Sequence, residues 1–453
     1  MRINSTINNK LKKTNLQSSR ISLAPLAVFR IIFGMLMLFA TTRFWLKGWI
    51  RDLYIAPQFH FKYYGFEWAQ ALPGNWMYVI FAIMAISSIG IALGFYYRIS
   101  ATLFFLTFTY VELLDVANYL NHYYFVSLVS FLMIFLPAHR LSSLDVKHGR
   151  APLTKKGNWW YVNIIRLQLA IVYFYAGIAK LNYDWLFQAL PLKIWLPARA
   201  DMPLIGFMMD YEWVAYFFSW FGALYDLSIP FLLWNKKTRP FAFFTVVAFH
   251  LLTWLLFPIG VFPWVMIFST LIFFSDDFHK KLLHLLKPLF SNHQISASPL
   301  KVPSLLKGSF ILFICFQLVW PWRFLAYPGN LFWTEQGYRL SWRVMLMEKA
   351  GYAIYHITDP ETGKTGEIHP GDYLTTNQEK QLSTQPDLLV QFAHFLEKEY
   401  QQKGIEDPKI TAEVYVTLNG KSSQLFIDPE TDLTKVDDSF APKTWILPYE
   451  GQD

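Results

Sequence analysis

A single cysteine, Cys315, stands among 453 residues, so no intrachain disulfide can form and cysteine usage does not reveal the compartment. Charge is scarce as well. Charged residues make up 16% of the chain against 54% hydrophobic and 19% aromatic, too few for an ordinary soluble protein of this length. There is no Gly-rich phosphate loop, no HExxH, no GxSxG and no cysteine pair, which removes the commonest nucleotide, zinc-protease and serine-hydrolase chemistries. The eleven histidines are scattered without HxxxH or HxxHH spacing, which argues against a membrane di-iron enzyme and against any metal site. The formal charge of +8 comes from short basic runs between apolar segments, the pattern of membrane loops and not of a nucleic-acid surface.

What the chain has is apolar length. About nine segments approach the span of a hydrocarbon core about 30 Å thick: 24–45, 76–97, 99–117, 121–137, 159–181, 211–234, 239–257, 261–275 and 306–324. The eighth is short and follows the seventh through Pro258 and Pro263, so that pair reads as a full crossing or a re-entrant hairpin. Every second loop is basic: Lys10 to Arg20, Arg98, Lys147 to Lys156, Lys236 to Arg239, and Lys280 to Lys307. By the positive-inside rule the N-terminus is cytoplasmic and everything after Trp322 lies outside. The expected architecture is a cytoplasmic tail (1–22), a helical membrane domain (23–324) and an extracytoplasmic α+β domain (325–453).

Ionisable groups at membrane depth require a reason, because each costs about 2.5–3.5 kcal/mol on insertion scales. Lys180 ends the apolar run Ile171 to Ala179. Burial penalises an ammonium, so a lysine in such a place is a candidate neutral amine base, unless it snorkels to the interface beside Asp184 and Trp185. The topology brings Glu112, Asp115, Asn118, Asn121, His122 and His250 toward the same outer half as Lys180, a convergence that favours function. Taken alone, His250 reads as a buried histidine bonded to a carbonyl. Arg30 and Arg166 read as structural, bonding carbonyls or reaching headgroups; Asp226 reads as a partner to one of the bases, and His139 as interfacial.

Beyond Trp322, Tyr352–Thr358 and Gly366–His369 read as a hairpin around the turn Asp359–Gly363, Asp387–Gln402 as an amphipathic helix, and Ile410–Leu418 as a strand returning through Asn419-Gly420 to Leu425–Ile427. Here the sequence resembles the vitamin K-dependent γ-glutamyl carboxylase family, bacterial homologues included, from about Leu23 to Tyr449. The matching stretches are Leu26-Ala-Val-Phe-Arg30, Trp76-Met-Tyr78, Tyr97-Arg-Ile-Ser100, Asn121-His122, Val172-Tyr-Phe-Tyr-Ala-Gly177 with Lys180-Leu181 and Asp184-Trp185, Phe249-His250, Thr365-Gly-Glu367 and Phe426-Ile-Asp-Pro429. It departs from the animal members at Ala179, where they have lysine, and at Asn182, where they have aspartate.

The resemblance implies an enzyme in which Lys180 deprotonates a reduced vitamin K (phylloquinol or menaquinol). O2 then gives a strong alkoxide base and the epoxide, and the carbanion of a peptide glutamate takes up CO2. It implies that His122 and Asn121 serve catalysis, that Tyr124, Asp115 and His250 surround the quinone, and that Thr365, Gly366, Glu367 and Ile368 bind the glutamate-containing protein or peptide. A bacterial inner membrane is the expected setting. A quinol epoxidase without carboxylation and a non-catalytic membrane scaffold remain as alternatives.

Overall fold

A computed structural model describes residues 20–290 and 297–451. Most of the expected tail, with Lys10, Lys12 and Lys13, and part of the 291–304 loop lie outside the described residues. Each of the nine apolar segments is helical: α1 (Ala24–Leu46), α2 (Trp76–Leu93), α3 (Tyr97–Leu113), α4 (Asn121–Phe135), α5 (Trp160–Ala179), α6 (Glu212–Trp234), α7 (Arg239–Leu256), α8 (Phe262–Thr270) and α9 (Ser304–Val319). Among the described residues six are long and apolar enough to cross a membrane: α1, α2, α5, α6, α7, and α9 with its 3₁₀ continuation to Ala326. At 1.5 Å per residue, α4 with 15 residues reaches about 22 Å and falls short of the core thickness. The helix α8 is shorter still and packs inward on α7, α1 and α5.

Outward faces of the bundle carry Phe39, Ile86, Leu106, Phe231, Phe244 and Leu312, as a lipid-facing surface requires. The chain is thus a polytopic membrane protein. Arg30 is fully buried and donates to the carbonyls of Ile91 at 2.7 Å, Ala92 at 2.6 Å, Ala138 at 3.2 Å and Ser142. It thereby satisfies orphan carbonyls at the end of α2. Gly94 closes that helix at φ 62°, and a Cβ there would lie 2.7 Å from Arg30 Nη1, so glycine is required twice over. Arg166 bonds the Ile272 carbonyl in the same way. His139, in the turn after α4, is buried with its ring stacked on Tyr97 at 5.0 Å.

A short antiparallel pair, β1 (Arg20–Ser22) with β2 (Lys156–Asn158), flanks α1 and α5, and the outer unit is a four-stranded antiparallel sheet ordered β4-β3-β5-β6, from β3 (Lys349–Thr358), β4 (Thr365–Ile368), β5 (Lys409–Leu418) and β6 (Gln424–Leu425). The alternation in β5 buries Ile410, Ala412, Val414, Val416 and Leu418 against α11 (Pro386–Gln402), which follows the short helix α10 (Thr376–Leu382). That core is not made by residues 325–453 alone. Phe61 from the α1–α2 loop and Val116 and Ala117 from the α3–α4 turn are buried in it, and Gln391 exchanges two hydrogen bonds with the Lys62 backbone, at 2.7 and 2.9 Å.

Candidate functional site

Lys180 caps the C-terminus of α5, one residue past the last helical position, and is 6% exposed. Its Nζ donates to Asp226 Oδ2 at 2.7 Å and to the Ala176 carbonyl at 3.3 Å, and lies 5.3 Å from the Trp185 ring centre. Snorkelling is therefore not its conformation: the ammonium turns inward to a carboxylate on the neighbouring helix. Two local features permit this. Gly177 lets α5 and α6 approach so closely that a Cβ would sit 2.7 Å from Leu227 Cγ. Pro230 lies four residues past Asp226 and has no N–H to give the Asp226 carbonyl, which loosens the helical ladder there.

Trp185 is fixed independently. Its indole donates to the Ser219 carbonyl at 2.8 Å, and the Asn182 side chain accepts from the Trp185 N–H at 2.9 Å to start the helix Tyr183–Phe187. Lys180 thus stands between two anchored neighbours.

The lysine faces a partly open apolar cavity enclosed by α5, α6, α7 and α8 and roofed by Trp195, Val344 and Met345. Its walls are Val172, Leu192, Phe221, Phe249, Leu252, Leu256 and Phe262; polar atoms gather at Lys180, Asp226, Tyr173 and His250. The His250 ring bonds the Tyr173 hydroxyl at 3.1 Å, not a carbonyl as expected, and its Nδ1 is buried with no partner among the described residues.

His122 does not line the cavity. Its ring packs on Phe262, 5.7 Å away, and Phe262 in turn touches His250 at 5.6 Å, so one aromatic ring separates the two histidines. Asn121 accepts from the Tyr119 hydroxyl at 2.9 Å and donates to the Arg343 carbonyl at 2.8 Å. Tyr124 stacks on Trp342 at 4.8 Å and accepts from Gln317 at 3.0 Å. Asp115 lies in the junction with the outer unit, where it caps the Ala117 N–H and accepts from Gln378 at 2.8 Å. Thr365, Gly366, Glu367 and Ile368 form the edge strand β4. Of the residues singled out from sequence, Lys180 and His250 meet in the cavity, Asn121 and Tyr124 hold its roof, and Asp115 and Thr365–Ile368 lie elsewhere.

Sequence reasoning missed the strap from Leu340 to Met345. Its residues Leu340, Trp342 and Met345 have φ of 57°, 61° and 53°, a conformation that L side chains rarely adopt. The Tyr119 hydroxyl accepts from the Leu340 N–H at 2.9 Å, and with Asn121 and Tyr124 it pins the strap from the α4 edge.

Two comparisons bear on this arrangement. Residues 19–278, more than half of the chain, match the HTTM domain family, and residues 302–452 match the family described as vitamin K-dependent gamma-carboxylase, lumenal domain. No solved structure matches the chain.

Proposed function

Because the chain belongs to the vitamin K-dependent gamma-carboxylase family, we propose that it couples oxygenation of a reduced naphthoquinone to its epoxide with carboxylation of peptide glutamate to γ-carboxyglutamate. One observation carries this reading: a buried lysine, ion-paired to Asp226, faces an apolar cavity deep in the bundle.

The cavity suits a naphthoquinol. Phe221, Phe249 and Phe262 offer flat walls for fused rings, and the polar groups are confined to Lys180, Asp226, Tyr173 and His250. Bound there, the quinol supplies, with O2, the strong base that removes a γ-proton from glutamate before CO2 adds. Lys180 takes the hydroxyl proton as the neutral amine, having released its own proton before the quinol reacts, and the Asp226 carboxylate stabilises the ammonium re-formed. Trp185 and Ala176 hold Nζ in place. The apolar walls keep water from quenching a strong base or a carbanion. Asn121 acts by positioning the roof, and His122 by backing Phe262. The glutamyl peptide is assigned to the outer unit, where the edge strand β4 can accept an extended segment by backbone pairing. Menaquinol, a bacterial inner membrane and a cytoplasmic N-terminus complete the reading; the alternation of basic loops supports that orientation.

The test is epoxide formation and labelled CO2 incorporation by the purified protein in lipid, with a reduced vitamin K and a short glutamyl peptide. Both products are expected, and both should vanish in Lys180→Ala. Epoxide without carboxylation would assign a quinol epoxidase, and neither product under several quinols would leave a scaffold.

A further inference from the structure

The end of the membrane bundle opposite the outer unit holds two cations without a counter-charge among the described residues. Both α3 and α4 meet the outer unit and the strap at their other ends, through Asp115 with Gln378 and Asn121 with the Arg343 carbonyl. Arg98 at the start of α3 and Arg140 after the end of α4 therefore stand together at the far membrane boundary. Arg98 Nη1 donates to the Ile134 carbonyl, an orphan acceptor in the last turn of α4, which ties the two helices and leaves the rest of the fork open. Arg140 Nε is buried without a partner among the described residues. The two guanidinium groups are close enough to act on each other, and the charge of both reaches Tyr161 in the first turn of α5. Burial first, then the charges of Arg98 and Arg140, pushes His139 down to about 3, so that ring is a neutral neighbour and not a third cation.

No carboxylate answers this pair among the described residues. Asp145 is held at 3.0 Å by Arg150 and accepts from the Tyr96 and Tyr97 N–H groups at 2.9 Å. Asp276 and Asp277 pair with Lys280. Residues 1–19 and 291–296 contain no Asp or Glu. Neighbouring guanidinium forks match a phosphodiester, whose oxygens accept two-point contacts. Beside them the lipid-facing seam of α3 and α4 is aromatic: Phe105 packs on Phe131 at 5.3 Å and Phe131 on Phe135 at 5.2 Å, and Phe131 and Phe135 are exposed. Cations at the helix ends with an apolar strip leading from them into the hydrocarbon suit an anionic lipid better than a soluble anion.

We infer that the seam between α3 and α4 binds an anionic phospholipid, with Arg98 and Arg140 on its phosphate and Phe131 and Phe135 along an acyl chain. This site is independent of the enzymatic reading above. Free phosphate shares the headgroup chemistry, and the experiment separates the two sources.

The full chain in neutral detergent is titrated with phosphatidylglycerol or with phosphatidylcholine of matched chains, and bound lipid is read by native mass spectrometry. Wild type should retain phosphatidylglycerol roughly tenfold better, and its melting temperature should rise with that lipid alone. The preference should vanish in Arg98→Gln with Arg140→Gln. It should persist in Lys236→Gln with Lys237→Gln, which removes equal charge from another loop at the same end. Should the first double variant not fold, Arg98→Gln alone, at an exposed side chain, carries the test, with a reduced preference expected. A wild type without preference overturns the inference whatever the variants do, as does full preference in Arg98→Gln. Equal loss in both double variants overturns it in favour of diffuse attraction, and displacement of the lipid by millimolar inorganic phosphate in favour of a soluble anion.

Discussion

At the scale of single residues the decisive pair is Lys180 and Asp226. Truncating either one leaves a buried charge, which costs about 3–5 kcal/mol, so loss of activity in Lys180→Ala alone does not separate chemistry from folding. The double variant Lys180→Met with Asp226→Leu does. Replacing a buried pair by apolar groups is near neutral or stabilising, so this protein should melt within a few degrees of wild type and make no epoxide. In Asp226→Asn the ammonium formed by proton transfer loses its counter-charge, and the rate of epoxide formation should fall about 10²-fold or more, the size of a general-base contribution. Lys180 was legible because a lone ammonium in an apolar run is conspicuous. Its partner was not: the sequence offered Asp226 to Arg30 or Arg166, but those arginines bond carbonyls and Asp226, 46 residues on in another helix, pairs with Lys180.

Among elements, the helices and both hairpins were readable from run length, alternation and turn residues, since each signal is local. Asn419-Gly420 has φ of 52° and 73° as a primed turn requires, and Asn419 also donates to Asp184 at 2.6 Å, tying the outer hairpin to the segment after Lys180. The strap Leu340–Met345 carries no periodicity and takes its shape from groups some 220 residues earlier, so no window could have announced it. Asn121→Ala, which frees the Arg343 carbonyl beside the roof, is expected to raise the quinol KM more than it lowers the rate of epoxide formation at saturating quinol; parallel initial-rate series would show the split. Gly177→Leu should wedge α5 from α6 and break the Lys180 ion pair. Epoxide formation should then be lost while the protein still purifies as a helical species by circular dichroism.

For the whole molecule, the membrane bundle and outer unit share a core, which the linear division at residue 325 did not foresee, because Phe61 and Val116 sit in segments that read as ordinary loops. Acid should act on this seam. Burial, then the charge of Lys62, pushes His60 down to about 4, so the folded protein resists a proton that the unfolded chain accepts near 6.5. Asp387 is opposed by burial but held below its usual range by Arg339, its partner at 2.5 Å. Both groups bind more protons unfolded than folded, so stability falls as pH drops, through the 6.5-to-4 window for His60 and below the ordinary aspartate range for Asp387. Thermal melts of the detergent-solubilised protein should show this, and His60→Gln should flatten the upper part of the slope.

The bonds between Lys62 and Gln391 join positions 329 residues apart. A ribosome adding about 5–20 residues per second takes roughly 15–65 s to travel between them. For that interval the aromatic loop around Phe61 has emerged from the membrane without the core it belongs to, and only the last quarter of the chain can shelter it. A transcript cut short anywhere before α11 therefore leaves an open, greasy loop at the membrane surface, a flag that proteases and chaperones can read as incomplete synthesis.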